Sequence, residues 1–128
     1  MALWQGKSGR KATGGRFILS RGKRKFEISR EKQFTRLTKD QPAVRKQYRG
    51  MGGSVKVGML TAQFANVVDK KTNTVKQVKI LNVVENPSDP NYVQRNIINK
   101  GAKIETEAGT AIVTSRPGQH GAINAVLI

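Results

Sequence analysis

The 128-residue sequence predicts a mainly β protein: a small closed or nearly closed β-barrel with one short helix, preceded by a long basic extended arm. Three observations carry this. Residues 1 to 50 hold 15 Lys and Arg against three acids, whereas residues 51 to 128 hold nine against five. From Val55 onward, β-branched residues recur in short runs bounded by turn signals, the pattern of strands. One proline-punctuated stretch, Asn86-Pro87-Ser88-Asp89-Pro90-Asn91, carries a helix start signal. The organisation read from these is an arm over 1–50 and a barrel body over 51–128.

The arm has few large apolar residues, no sustained period of 3.6 or 2, and glycines at Gly6, Gly9, Gly14, Gly15 and Gly22. It cannot bury enough surface alone to offset its ordering entropy, so it is expected to be disordered or ordered by a partner. Fully extended, such a segment reaches about 165 Å at about 3.3 Å per residue. A polyanion is the natural partner, because each phosphate neutralised releases condensed counterions. Trp4, Phe17, Phe26 and Phe34 lie among the charges, where they either stack on unpaired bases or stand as isolated hydrophobes on a solvated tail.

In the body, Val55 to Val68 reads as one run whose apolar face changes near Gly58, which predicts a bulge or bend there. The polar stretch Asp69 to Asn73 turns the chain into a second strand, Val75 to Val84, as a hairpin. Asp89 before Pro90 is a helix N-cap with Pro at the first helical position, and the helix is expected over roughly Pro90 to Ile98. Lys103 to Thr106 and Thr110 to Ser115 form a second hairpin around Glu107-Ala108-Gly109, and Ala122 to Ile128 is a closing strand. Five or so strands in this length close best as a barrel, which removes exposed edges.

Several chemistries are excluded. Without cysteine there is no disulfide framework, thiol nucleophile or Cys-ligated zinc, and the single histidine, His120, cannot build a metal cage. The longest stretches free of charge are 12 residues, below the roughly 20 needed to span a bilayer, and the N-terminus lacks a secretory signal pattern. Gly6-Lys7-Ser8 ends like a phosphate loop but lacks the earlier glycine, the strand and the helix. Arg49-Gly50-Met51-Gly52-Gly53 is a flexible linker or a place where backbone amides approach phosphate. In Ser115-Arg116-Pro117-Gly118-Gln119-His120-Gly121, a type II turn at Pro117-Gly118 would hold Arg116 and His120 on either side, as a structural turn or an RNA or partner contact. Glu105 and Glu107 share a strand face and read as a solvated edge without chemistry.

Four motifs follow in order: Arg10-Lys11-Ala12-Thr13-Gly14-Gly15; Gly22-Lys23-Arg24-Lys25-Phe26-Glu27-Ile28; Val83 to Val93; and Thr114 to Gly121. Together they resemble the archaeal and eukaryotic family of small-subunit ribosomal proteins numbered eight in the eukaryotic series, over nearly the whole chain and in its compact archaeal form. The resemblance implies a β-barrel body and a basic extension along small-subunit ribosomal RNA. It places Lys7, Arg10, Lys11, Arg16, Arg21, Lys23, Arg24 and Lys25 at the family's basic N-terminal positions, and Arg95 and Arg116 at basic positions of the body. Arg49 and His120 join them as RNA-binding candidates from the two loop readings. Ser29 stands where the family usually has glycine, and Glu31 to Val44 departs from its pattern.

The expected function is therefore a non-enzymatic structural constituent of the small (30S) subunit, binding 16S ribosomal RNA in the cytoplasm. Its partners would be that RNA and neighbouring small-subunit proteins, with no cofactor, membrane or small-molecule substrate. A ribosome-assembly factor or another basic nucleic-acid-binding protein is the alternative.

Overall fold

A computed structural model describes residues 3–128. The chain forms two compact units, Met1–Lys32 and Gln33–Ile128. In the first, β1 (Leu3–Trp4) pairs antiparallel with β2 (Ile28–Ser29), preceded by a 3-10 turn at Lys25–Glu27. Between them Arg10 and Arg16 bridge across a tight loop closed by the Lys11 N–H to the Gly15 carbonyl at 2.8 Å. No described residue of this unit is buried. Backbone pairing and side-chain contacts shape it, and its described residues form no core.

The second unit begins with β3 (Thr35–Leu37) and β4 (Val44–Arg49), strands built from the stretch read as arm. Then follow β5 (Val55–Ala62), β6 (Phe64–Asp69), β7 (Thr74–Glu85), α1 (Asn91–Gln94) and β8 (Ile97–Ile98). The chain continues through β9 (Lys103–Thr106), β10 (Gly109–Val113), α2 (Pro117–His120) and β11 (Asn124–Leu127). β10, β11, β6, β7 and β9 close into a five-stranded barrel, as the sequence predicts. A second sheet has the order β4-β5-β3-β8.

Period-2 alternation, interrupted in β7 by a register shift, builds the barrel interior. Ala65 and Val67 on β6, Ile80 and Val83 on β7, Ile104 on β9, Ala111 and Val113 on β10 and Ala125 on β11 are all buried in one cluster. Each fully buried Ile or Val contributes about 1.5–3 kcal/mol. Two register shifts in β7, at Ile80/Asn82 and Val83/Glu85, mark where this 12-residue strand bends around the barrel. Both predicted hairpins form. Asp69 organises the first: Oδ1 accepts the Lys71 N–H at 2.8 Å and Oδ2 the Thr72 hydroxyl at 2.9 Å. These bonds hold its carboxyl below the ordinary aspartate range, the Lys71 N–H being the largest cause. β11 closes the barrel by pairing parallel to β6.

Three expectations change. Val55 to Val68 is two strands, broken at Gln63, and the expected irregularity near Gly58 is present as a register shift where Val44 pairs with Thr61 and Arg45 with Met59, leaving Leu60 as the extra residue. At the break the Gln63 carbonyl accepts the Ile80 N–H at 2.8 Å and its side chain donates to the Lys39 carbonyl at 3.0 Å, so the chain leaves one sheet for the other there. Gly58 itself serves close packing: a Cβ there would lie 2.7 Å from the Gln33 amide group and 2.8 Å from the Gly118 carbonyl. The expected helix over Pro90 to Ile98 stops at Gln94, because Asn96 takes φ of 49° and Ile97–Ile98 become a buried strand against β3. Finally, Pro117-Gly118 opens a second short helix instead of forming a type II turn, with Gly121 at φ of 66° ending it.

Candidate nucleic-acid interface

Eight of the predicted residues lie in the first unit, all exposed. Three aromatics and one acid arrange them. The Trp4 indole donates to the Lys7 carbonyl at 3.2 Å and sits so close to Gly6 that a Cβ there would lie 2.2 Å from the ring. Lys23 Nζ stands 5.7 Å from the Trp4 centroid. Lys7 and Lys11 approach Phe17 at 5.4 and 5.7 Å, and Arg21 approaches Phe26 at 5.5 Å. At exposed sites such contacts contribute about 0.5–1 kcal/mol each. The aromatics read as possible base stackers thus also hold cations in place.

Arg10 donates to the Gly14 carbonyl at 3.0 Å, which fixes the loop that Arg16 closes. Arg21 donates to both oxygens of Glu27, at 2.5 and 3.2 Å, and the Arg24 N–H reaches the same carboxylate at 3.3 Å. The Arg21 hydrogen bonds are the leading cause that lowers the Glu27 pKa, with the Arg24 N–H and the Arg21 charge adding to it. The side chains of the remaining seven, Lys7, Arg10, Lys11, Arg16, Lys23, Arg24 and Lys25, have no carboxylate partner among the described residues. Lys25 opens the 3-10 turn that Arg24 precedes.

The four body candidates come from separate elements. Arg49 ends β4, the edge strand of the second sheet. Arg95 follows α1, with its guanidinium carbon 5.5 Å from the Phe34 ring centroid. Arg116 precedes α2 and His120 ends it, where His120 Nδ1 accepts the Arg116 N–H at 3.4 Å. α2 lies tight on β5, since a Cβ at Gly121 would meet Val57 at 2.7 Å.

Sequence reasoning missed Arg45 and Lys46, both exposed on β4, with Lys46 Nζ 5.5 Å from the Tyr48 ring. The signal was present in Val44-Arg45-Lys46-Gln47-Tyr48-Arg49, whose β-branched and aromatic residues suit a strand, but no buried face gives it a period. No group of three or more His, Cys, Asp or Glu that could hold a metal occurs among the described residues. No helix there is long and apolar enough to cross a membrane.

The arrangement is a set of exposed, mostly uncompensated cations on turns and strand ends, suited to contacting phosphates at many points. Known proteins supply the context. The family model described as ribosomal protein S8e matches residues 4–128. The small ribosomal subunit protein eS8 of Methanocorpusculum labreanum is 56% identical over 126 residues, 98% of each chain. That of Methanococcus aeolicus is 53% identical over 128 residues, all of this chain and 98% of the relative. That of Methanosphaerula palustris is 52% identical over 126 residues, 98% of each. With one family model spanning the barrel and the cationic first unit alike, the chain belongs to the ribosomal protein S8e family.

Proposed function

We propose that the chain is a non-enzymatic structural constituent of the small ribosomal subunit that binds 16S ribosomal RNA, mainly through residues 1–50 acting as a basic arm. The barrel is the anchoring body. Neighbouring small-subunit proteins complete its surroundings, and the particle is cytoplasmic. The observation that carries this is the set of seven exposed cations whose side chains have no carboxylate partner among the described residues, in a unit where no described residue is buried. Bringing phosphates to them releases counterions and supplies the favourable free energy that a missing core cannot. Arg49, Arg95, Arg116 and His120 add contacts from the body.

Replacing Lys7, Arg10, Lys11, Arg16, Arg21, Lys23, Arg24 and Lys25 together by Gln tests the reading by filter binding to 16S ribosomal RNA at rising salt. The slope of log affinity against log salt should become shallower by up to about 6. An unchanged affinity and slope would remove the arm from the interface.

A further inference from the structure

A second kind of contact is built where α1 meets β3. Thr35 is buried, its hydroxyl donating to the Met59 carbonyl at 2.6 Å, so half-buried Phe34 and exposed Arg36 flank it on the opposite face. Tyr92 of α1 meets the Phe34 ring in an edge arrangement, with centroids 5.4 Å apart and planes at 64°. Arg95, one residue past the helix end, places its guanidinium carbon 5.5 Å from the same ring centroid. The backbone behind it is fixed: the Asn96 N–H donates to the Val93 carbonyl at 3.0 Å, and the Asn96 carbonyl accepts the Leu37 N–H at 2.9 Å. Arg95 is exposed, and among the described residues no protein acceptor takes its guanidinium hydrogens.

We infer that Phe34 and Arg95 form a stacking platform for one unpaired nucleobase of RNA. The inference rests on the RNA-binding reading above and adds the class of ligand this site takes. A phosphate contact requires only positive charge, which a lysine on a free stem supplies. An arginine seated on an aromatic ring offers more: a flat, weakly hydrated cation whose outward side is open to the face of a base. Within a helix both faces of each base are already stacked, so the ligand is a loop, bulge or single-stranded nucleotide. Tyr92 keeps the Phe34 ring from turning away.

Arg95→Lys separates plane from charge in the full-length chain, because it keeps the cation and removes the planar group. The probe is purified 16S ribosomal RNA, read by filter binding across salt and by 2′-hydroxyl acylation of the bound RNA. Arg95→Lys should weaken binding by about 5- to 100-fold with an unchanged salt slope. It should also restore reactivity at one unpaired nucleotide that the wild-type chain protects. Phe34→Leu should free the same nucleotide, and a thermal melt checks that it folds. Wild-type affinity and protection in Arg95→Lys, with Arg95→Ala alone losing affinity and about one unit of slope, would make the contact a phosphate contact and overturn the platform. A wild-type chain that protects no nucleotide would overturn the RNA-binding reading, and this inference with it.

Discussion

The first 32 residues and the 96 that follow carry the same net charge, +8 each, on opposite kinds of scaffold. Through Lys32 there are ten cations and two acids with no buried residue described; from Gln33 there are 14 and six around a barrel packed with isoleucine, valine and alanine. Threefold dilution of charge lets the second unit tolerate self-repulsion, because its apolar interior offsets it. Among its described residues the first is held together by contacts such as a two-residue strand pair, an arginine–glutamate bridge and cations set against rings. High charge density and a core are alternatives in this molecule.

That contrast can be broken in order of expected size. Neutralising Arg49, Arg95 and Arg116 to Gln should change the RNA salt slope by at most about 2, roughly three-eighths of the effect of the eight first-unit cations. An equal or larger change would place the interface on the body. Ile104→Ala removes a fully buried side chain from the barrel and should cost about 2–5 kcal/mol in urea unfolding, whereas the eightfold Gln variant leaves the unfolding midpoint unchanged. A shared loss of stability would mean the two units are energetically one.

Smaller effects sharpen the picture. Gly121→Ala forces a Cβ onto a backbone at φ of 66° and to within 2.7 Å of Val57, so it should destabilise by about 2 kcal/mol in the same assay. Asp69 gives the smallest signal. Its pKa is lowered in the fold, so its contribution is present above the unfolded aspartate value and is lost as pH falls through the folded one. The Lys71 amide resonance should titrate below the usual aspartate range, and Asp69→Asn should abolish that step.

The barrel was legible where burial imposes a pattern. Asp69 to Asn73 and Glu107 to Gly109 announce their turns, and Ile104/Thr106 and Ala111/Val113 alternate as half-buried strands must. β4 was not legible, since five of its six residues are exposed and cations fill positions that apolar residues would mark. The break at Gln63 hid inside what reads as one run from Val55 to Val68; it is set by Lys39 and Ile80, distant in sequence. Pro117-Gly118 suits a turn or a helix start equally, and the left-handed Gly121 decides between them. At the candidate interface, sequence identified the cations but could not show that Glu27 engages Arg21 or that Phe34 lies under Arg95. Those pairings depend on how the chain returns on itself.

The parallel seam between β6 and β11 joins residues 58 positions apart, Asn66 Nδ2 donating to Asn124 Oδ1 at 3.1 Å. β11 is the last barrel strand to be translated. Until β11 is added, β6, β7, β9 and β10 can form at most an open sheet with two unsatisfied edges, β6 and β10, while the cationic first unit is already made. Vectorial synthesis puts barrel closure last, and under the proposed RNA-binding role it would let the nascent protein be tethered before it is folded.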